Sequence, residues 1–172
     1  VMTPLSPNGF LSIDASELEY RMIGPSPADA PTIVMLHEGL GSAGLWGDFC
    51  EKLQAATGAG VFAYSRAGYG ASTPARLPRP LDYMHVEARE VLPKLLDAIG
   101  FRRGLLLGHS DGASIAAIHA GSHQDHRVEG LVLIAPHFIV EDVSVASIAA
   151  IRTAYETTNL KQKLARWHND VD

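Results

Sequence analysis

Short apolar runs, most of them followed by a glycine-rich segment, are the feature that most restricts the fold of this 172-residue chain. The runs cover Thr32–Leu36, Gly60–Tyr64, residues 104–107 and residues 128–135. Strands that are apolar almost throughout, rather than on alternate residues, are typical of a parallel sheet covered on both faces. Segments with helical periodicity separate the runs. We therefore expect right-handed βαβ crossovers, an α/β fold and a mostly parallel sheet flanked by helices.

The remaining segments supply a hairpin and helices. A hairpin at the sheet edge is predicted for residues 10–13 and 18–23. Helices are predicted for the segments between the strands, over residues 45–57, 82–99 and 113–119. Pro93 lies inside the second of these helices and should kink it or end its first part.

The pattern changes after Pro136. Two consecutive helices are predicted over residues 143–157 and 160–168, without a strand between them. This arrangement is typical of a lid above a strand-based core. We therefore divide the chain into a core with six strands, residues 1–137, and the start of a helical lid, residues 138–172.

Composition argues against several classes of function. The formal net charge is −5, so the chain has no general attraction for nucleic acid or for an anionic membrane surface. Cys50 is the single cysteine, which excludes an internal disulfide and fits a reducing compartment. Neither a leader peptide nor an apolar segment of about 18 residues is found. We expect a cytoplasmic protein with no nucleic-acid or membrane partner.

The segment Gly108-His109-Ser110-Asp111-Gly112 contains the Gly-x-Ser-x-Gly pattern of a nucleophilic serine. An apolar strand precedes it and a helix of small residues follows, which is the context that the pattern requires. The turn is too sharp for side chains at its flanking positions, hence the two glycines. We expect a positive φ at Ser110, and the alternative interpretation is that Ser110 is an ordinary helix N-cap.

A second glycine-rich loop, residues 37–42, follows the first apolar run. A tetrahedral intermediate needs two N–H donors aimed at its oxygen. We expect the N–H of Asp111 to be one of them and the N–H of Gly39, or else that of Leu40, to be the other. The alternative interpretation is a plain strand-to-helix turn.

These motifs, together with Gly68-Tyr69-Gly70-Ala71-Ser72, resemble those of the α/β-hydrolase superfamily, in the branch with a helical lid after the sixth strand. The resemblance covers nearly all of residues 10–172 and implies a serine nucleophile without a cofactor. Glu38 replaces a glycine that relatives often carry, and Ser65 replaces an aspartate. A carboxylate beside an oxyanion opposes its formation, so we predict that Glu38 points away from the Ser110 hydroxyl.

The eight histidines fall into three groups. His37 and His109 lie beside the two motifs and are expected to order the loops. His137 follows the sixth strand and, like Glu38, Leu40 and His109, is a candidate pocket residue. The others are expected to be solvated, namely His85, His119, His123, His126 and His168. No spacing typical of a metal site is found, so neither a metal nor a cofactor is expected.

The resemblance also implies a catalytic acid after strand seven and a catalytic histidine after strand eight. Neither strand is found in residues 1–172. Glu141 and Asp142 follow strand six but lie a few residues too late for the usual acid. We expect the missing strands, acid and histidine to come from the same longer polypeptide or from another chain. Strand six would otherwise be an open, apolar edge.

The expected activity is hydrolysis of a small, ester-like substrate through an acyl-enzyme at Ser110. The motifs do not distinguish this from hydrolysis of a carbon–carbon bond on the same frame. A hydrolase-like domain that binds a ligand without catalysis is the alternative from another class. Glu38 and the absent base favour that alternative, whereas the intact serine motif favours the enzyme.

Overall fold

The structure is a computed structural model that describes residues 5–171. Six strands form one sheet in the order β1-β2-β4-β3-β5-β6. The strands are β1 (Asn8–Ile13), β2 (Ser16–Ile23), β3 (Thr32–Leu36), β4 (Gly60–Tyr64), β5 (Gly104–His109) and β6 (Val128–Ile134). The hairpin β1–β2 is antiparallel and β2 pairs antiparallel with β4, whereas all other neighbours are parallel. The expected α/β fold with a mostly parallel sheet is confirmed.

Six α-helices connect or follow the strands in the described part of the chain. They are α1 (Phe49–Thr57), α2 (Tyr83–Val86), α3 (Leu92–Ala98), α4 (Asp111–Ser122), α5 (Asp142–Thr157) and α6 (Leu160–Leu164). Helices α5 and α6 follow β6 without a strand between them, as predicted. The assignment of residues 138–172 to a lid stays a prediction.

The helix predicted over residues 45–57 is wrong in its first part. Gly44–Trp46 forms a single 3₁₀ turn, and α1 begins only at Phe49. Gly47 between them has a φ of +57°, which interrupts right-handed helical geometry. Leu45 and Phe49 are consequently exposed rather than part of a buried stripe.

The interruption predicted at Pro93 is confirmed. A π-helical turn, Glu87–Val91, separates α2 from α3. Pro93 has no N–H to donate to the carbonyl four residues earlier, and its ring crowds that turn, so the helical register changes there.

The core lies on both faces of the sheet. Alternate residues of β3 point to opposite sides, with Val34 and Leu36 on the side of α3 and α4, and Ile33 and Met35 on the side of α1. All four side chains are buried. This two-sided burial is the physical reason for the continuous apolar runs in the sequence.

One prediction about the histidines fails in this core. His119 was expected to be solvated but is 1% exposed, because α4 packs against the π-helical turn. Its Nδ1 donates to the carbonyl of Ala88 at 3.0 Å. Burial lowers the pKa of the His119 imidazole, so the neutral form is favoured.

Strand β6 forms one edge of the described sheet and pairs only with β5. Leu131 and Leu133 pack on the core, whereas Val132 and Ile134 on the other face are 40% and 43% exposed. An apolar strand therefore presents both a free edge and an uncovered face.

Candidate active site

Ser110 lies between the end of β5 and the start of α4, at the carboxyl edge of the parallel strands. Its φ and ψ are 53° and −116°, so the predicted positive φ is confirmed and the ordinary N-cap interpretation is wrong. A non-glycine residue held in such a conformation is strained, and such strain clusters at functional sites. The strain marks Ser110 as a candidate functional residue.

The two glycines of the motif permit the sharp turn. A Cβ at Gly108 would lie 2.4 Å from the carbonyl oxygen of Gly112. A Cβ at Gly112 would lie 2.1 Å from the carbonyl oxygen of Leu36. The start of α4 therefore touches the end of β3, and this contact brings the serine motif beside the loop of residues 37–42.

His137 contacts the serine directly. Its Nε2 is 2.8 Å from Ser110 Oγ, and its backbone N–H donates to Ser114 Oγ at 2.8 Å. The Ser110 N–H donates to the carbonyl of Ile134 at 2.8 Å, which brings the end of β6 to the serine. The sequence predicts His137 only as a candidate pocket residue. Its contact with Ser110 depends on the pairing of β6 with β5, which the local sequence does not show.

A carboxylate lies beside this pair. Asp111 Oδ1 is 3.9 Å from His137 Nε2, and Asp111 Oδ2 accepts a hydrogen bond from the Tyr83 hydroxyl. Burial and this hydrogen bond raise the pKa of Tyr83, so its hydroxyl remains a donor. Sequence reasoning missed Tyr83, since no local pattern links the start of α2 to Asp111. Glu141 and Asp142 are exposed, and no side-chain hydrogen bond joins them to His137 within residues 5–171.

The carboxylate of Glu38 bonds within its own loop, residues 37–42. Glu38 Oε2 accepts the N–H of Leu40, and no hydrogen bond joins Glu38 to Ser110 in the described residues. Since the Leu40 N–H is occupied, the N–H of Gly39 is the better candidate donor of the two. A Cβ on Gly39 would lie 3.3 Å from Asp111 Oδ2, so Gly39 and Asp111 are neighbours. The roles of Ser110, Gly39 and Asp111 nevertheless stay predictions.

His37 orders this loop in the structure. It is 2% exposed, and its Nδ1 donates to the carbonyl of Glu38 at 2.6 Å, while its Nε2 accepts the N–H of Arg66 at 3.1 Å. Burial, followed by the charge of Arg66, lowers the pKa of His37 well below its ordinary value. The imidazole is therefore neutral, with the proton on Nδ1.

Ser65 occupies the position where relatives often carry an aspartate. Its Oγ accepts the N–H of Ala43 at 2.9 Å and donates to Glu19 Oε2 at 2.7 Å. The same Glu19 oxygen accepts the N–H of Ala71 at 3.0 Å. A carboxylate from β2 therefore reaches this position by way of the smaller serine.

The prediction that His168 is solvated is wrong. His168 is 7% exposed, its Nδ1 accepts the N–H of Gly70 at 2.9 Å, and its Nε2 donates to the carbonyl of Leu40 at 2.9 Å. Asn169 adds a backbone hydrogen bond to the Gly70 carbonyl at 2.8 Å. The segment after α6 is thus joined to both the loop after β3 and the loop after β4.

Two cavities lie beside the loop of residues 37–42. One, of about 80 Å³, is lined by His109, His37 and Glu38 among others. The second, of about 240 Å³, lies between Gly39 and helices α5 and α6. Its apolar or aromatic lining comes from Leu40, Tyr69, Leu77, Tyr155, Leu164 and Val171.

Among residues 5–171, the side chains of histidine, cysteine, aspartate and glutamate form no group of three or more that could hold a metal ion. No helix in this range has the length and apolar character needed to span a bilayer.

Comparison with known proteins agrees with the motifs and the fold. A family model described as alpha/beta hydrolase fold matches residues 31–168, which is most of the chain. The chain belongs to the alpha/beta hydrolase fold family. A proline iminopeptidase from Lactobacillus helveticus is 27% identical over 121 residues.

Solved structures of hydrolases share this alpha/beta hydrolase fold. A carboxylesterase structure from Nitrososphaera gargenis superposes with a TM-score of 0.71 at 21% identity and covers 92% of this chain. A hydrolase from Pseudomonas aeruginosa superposes with a TM-score of 0.64 at 28% identity and covers 86% of this chain. The match to the iminopeptidase covers 68% of this chain. The chain spans only part of each of these proteins, namely 39% of the iminopeptidase, 56% of the carboxylesterase and 53% of the hydrolase.

Proposed function

We propose that this protein is a serine hydrolase that cleaves ester-like substrates through an acyl-enzyme at Ser110. The observation that carries the proposal is the geometry of Ser110. This residue has a strained backbone at the amino end of α4, and its hydroxyl oxygen is 2.8 Å from His137 Nε2. A serine hydroxyl becomes an effective nucleophile when an adjacent base takes its proton. Membership of the alpha/beta hydrolase fold family supports a hydrolytic reaction.

The proposed reaction begins with attack of Ser110 Oγ on the substrate carbonyl carbon. The oxygen that becomes negative is held by the N–H groups of Gly39 and Asp111. The positive end of the α4 dipole adds to this stabilisation. The leaving alcohol takes the serine proton, and water then releases the acyl group.

His137 is the proton acceptor that the described residues offer to Ser110. Its Nε2 lies within hydrogen-bond distance of the hydroxyl and can take its proton, and Asp111 Oδ1 lies 3.9 Å from the same nitrogen. The triad acid and histidine that the family resemblance implies would lie outside residues 1–172. Which histidine acts on Ser110 is therefore a question for mutation.

The cavity between Gly39 and helices α5 and α6 is the proposed site of one substrate substituent. Its lining includes Leu77, Tyr155 and Leu164, which favour an apolar group. Gly39, the proposed oxyanion donor, also borders the cavity, as do the polar side chains of Arg79, His168 and Asp170. An uncharged ester with an apolar substituent matches this arrangement.

Reaction of the complete protein with a fluorophosphonate, followed by mass mapping, tests the proposal. We expect a single adduct at Ser110 and its loss in Ser110→Ala, with ester hydrolysis lost in parallel. Ser147→Ala, on the exposed surface of α5, is the matched control and should retain both. Absence of labelling in the wild type would favour a ligand-binding domain without catalysis.

The iminopeptidase relative supports a second candidate, removal of an amino-terminal proline from peptides. Parallel assays with nitrophenyl esters and proline p-nitroanilide distinguish the two substrates. If Ser110 is labelled but neither substrate turns over, the carbon–carbon hydrolase interpretation becomes the one to test.

A further inference from the structure

Arg66 is a buried charge that the proposed reaction does not use directly. It follows β4 and is 1% exposed. Its Nη1 donates to the carbonyl of His37 at 2.6 Å and its Nη2 to the carbonyl of Glu38 at 3.2 Å. Burying a guanidinium is costly unless its hydrogen bonds are satisfied. Here Nη1 and Nη2 donate to consecutive carbonyls of the loop that carries Gly39, while Nε is buried without a hydrogen-bond partner in the described residues.

The Glu38 carbonyl is the most heavily bonded acceptor of this loop. It accepts from His37 Nδ1 at 2.6 Å, from Arg66 Nη2 at 3.2 Å and from the N–H of Gly41 at 3.1 Å. This carbonyl belongs to the same peptide unit as the N–H of Gly39. In a planar trans peptide the two groups point in opposite directions, so donors that fix the oxygen also fix the direction of the N–H.

Donors on the oxygen also change the strength of the N–H. Hydrogen bonds in a chain polarise one another, and the effect is larger in a low-dielectric interior. A guanidinium on the Glu38 oxygen therefore makes the Gly39 N–H a stronger donor. Pre-oriented donors of this kind stabilise a developing oxyanion without reorganisation during the reaction.

We propose that Arg66 and His37 are positioning residues that orient and polarise the Gly39 N–H toward the oxyanion of the substrate. The inference rests on the proposed function, because it assigns Gly39 the donor role. Both residues are buried, and neither belongs to the serine motif.

His37 allows a test with matched variants, because its two nitrogens have different partners. The side-chain nitrogen of asparagine can replace Nδ1 and donate to the Glu38 carbonyl. The side-chain oxygen of glutamine can replace Nε2 and accept the backbone N–H of Arg66. His37→Asn therefore keeps the contact that the inference needs, and His37→Gln loses it. The two variants remove the same ring, so a general packing defect affects both.

The readout compares an oxygen ester with its thionoester, in which sulfur replaces the carbonyl oxygen. Sulfur is larger and a weaker hydrogen-bond acceptor, so weakening the oxyanion donor slows the oxygen ester more. In the complete protein we expect Arg66→Gln and His37→Gln to lower kcat for the oxygen ester about 10²-fold with little change in KM. The preference for the oxygen ester should shrink in both, and His37→Asn should retain most of it.

Ile99→Val, which trims a buried side chain at the end of α3, is the stability control. It should lower the melting temperature and leave the ester preference unchanged. If Arg66→Gln does not fold, the same measurement is made on Arg66→Lys, and His37→Gln is compared with His37→Asn. An unchanged preference in folded Arg66 and His37→Gln variants would overturn the inference.

Hydrogen exchange separates this inference from the proposed function. We expect amide exchange across residues 37–42 to accelerate in His37→Gln and much less in His37→Asn, whether or not the protein hydrolyses esters. If the wild type neither labels at Ser110 nor turns over, the proposed function fails on its own. Equal exchange in the two His37 variants would contradict the positioning of this loop by the histidine.

Discussion

Two backbone hydrogen bonds bring Ser110 and His137 together. The Ser110 N–H bonds to the Ile134 carbonyl, the His137 N–H bonds to Ser114, and the two side chains are 2.8 Å apart. The histidine is thus anchored through its backbone, while its ring remains about one-third exposed. An exposed imidazole can exchange protons with water between reaction cycles.

Replacing His137 by glutamine should slow the acylation of Ser110. A positioned general base contributes about 10²–10⁴-fold, so we expect the rate of fluorophosphonate labelling to fall at least about 10²-fold in the complete protein. His126→Gln, on an exposed turn before β6, is the matched control. Labelling at the wild-type rate would assign the proton acceptor to a part of the protein outside residues 1–172.

His119 should make stability depend on pH. Burial holds its pKa below the ordinary value of 6.5 in the folded protein, so the unfolded chain binds a proton first as the pH falls. The free energy of unfolding should therefore decrease by up to about 1.4 kcal/mol per pH unit below that value. His119→Asn keeps a donor for the Ala88 carbonyl but does not titrate.

Urea unfolding at about pH 7.5 and pH 5.5 measures this dependence. We expect a smaller loss of stability on acidification in His119→Asn than in the wild type. His37 is unchanged in both proteins, so its contribution cancels from the difference. Equal losses would show that His119 is not kept neutral in the folded state.

At the scale of elements, the approach of α4 to β3 brings the site together. We expect Gly112→Ala to cost about 1–3 kcal/mol of stability or more, because its Cβ would meet the Leu36 carbonyl at 2.1 Å. It should also displace the turn and reduce labelling of Ser110. Gly121→Ala in the same helix meets nothing within 4 Å and should stabilise by up to about 1 kcal/mol.

Thermal unfolding and labelling of the two variants make the comparison. If Gly112→Ala were as stable and as reactive as Gly121→Ala, the close contact between α4 and β3 would be absent from the protein.

The elements and the serine motif could be predicted from local sequence. Apolar runs identify β3, β4, β5 and β6, and two glycines around Ser110 indicate the sharp turn. The partners of the site could not be predicted in this way. Tyr83, Arg66 and His168 reach the motifs across long sequence separations, and their contacts depend on strand order and helix packing.

The same distinction explains the errors. Neither His119 nor His168 has a local partner pattern in the sequence, and this favours a solvated position for both. Their burial follows from contacts with Ala88 and Leu40, which belong to other elements. The exposed start of α1 was missed because Gly47 breaks a pattern that otherwise has helical spacing.

At the scale of the whole molecule, the edge strand β6 is the element most exposed to association with another strand. Its edge is unpaired in the described sheet, and Val132 and Ile134 lie uncovered on one face. Unprotected apolar edges promote association with other strands. We propose that further strands, from the same polypeptide or another chain, cover this surface in the complete protein.

Residues 1–172 produced alone should therefore self-associate. Val132→Lys replaces an exposed apolar side chain on the uncovered face and should reduce the association, because less apolar surface remains to be buried. Glu129→Lys, at an exposed position on the same strand, changes charge without removing an apolar side chain and is the control. Light scattering reports the solution mass, and a monomeric wild-type segment would contradict the prediction.

The contacts of His168 also have a consequence for the order of events during folding. This residue bonds to Gly70 and Leu40, which precede it by 98 and 128 positions. Contacts between residues so far apart in sequence form slowly, because a long loop must close first. A ribosome synthesises the chain from its amino end, so both loops remain without this support until residue 168 has emerged. The nascent chain would then have its serine turn before it has a finished site around it.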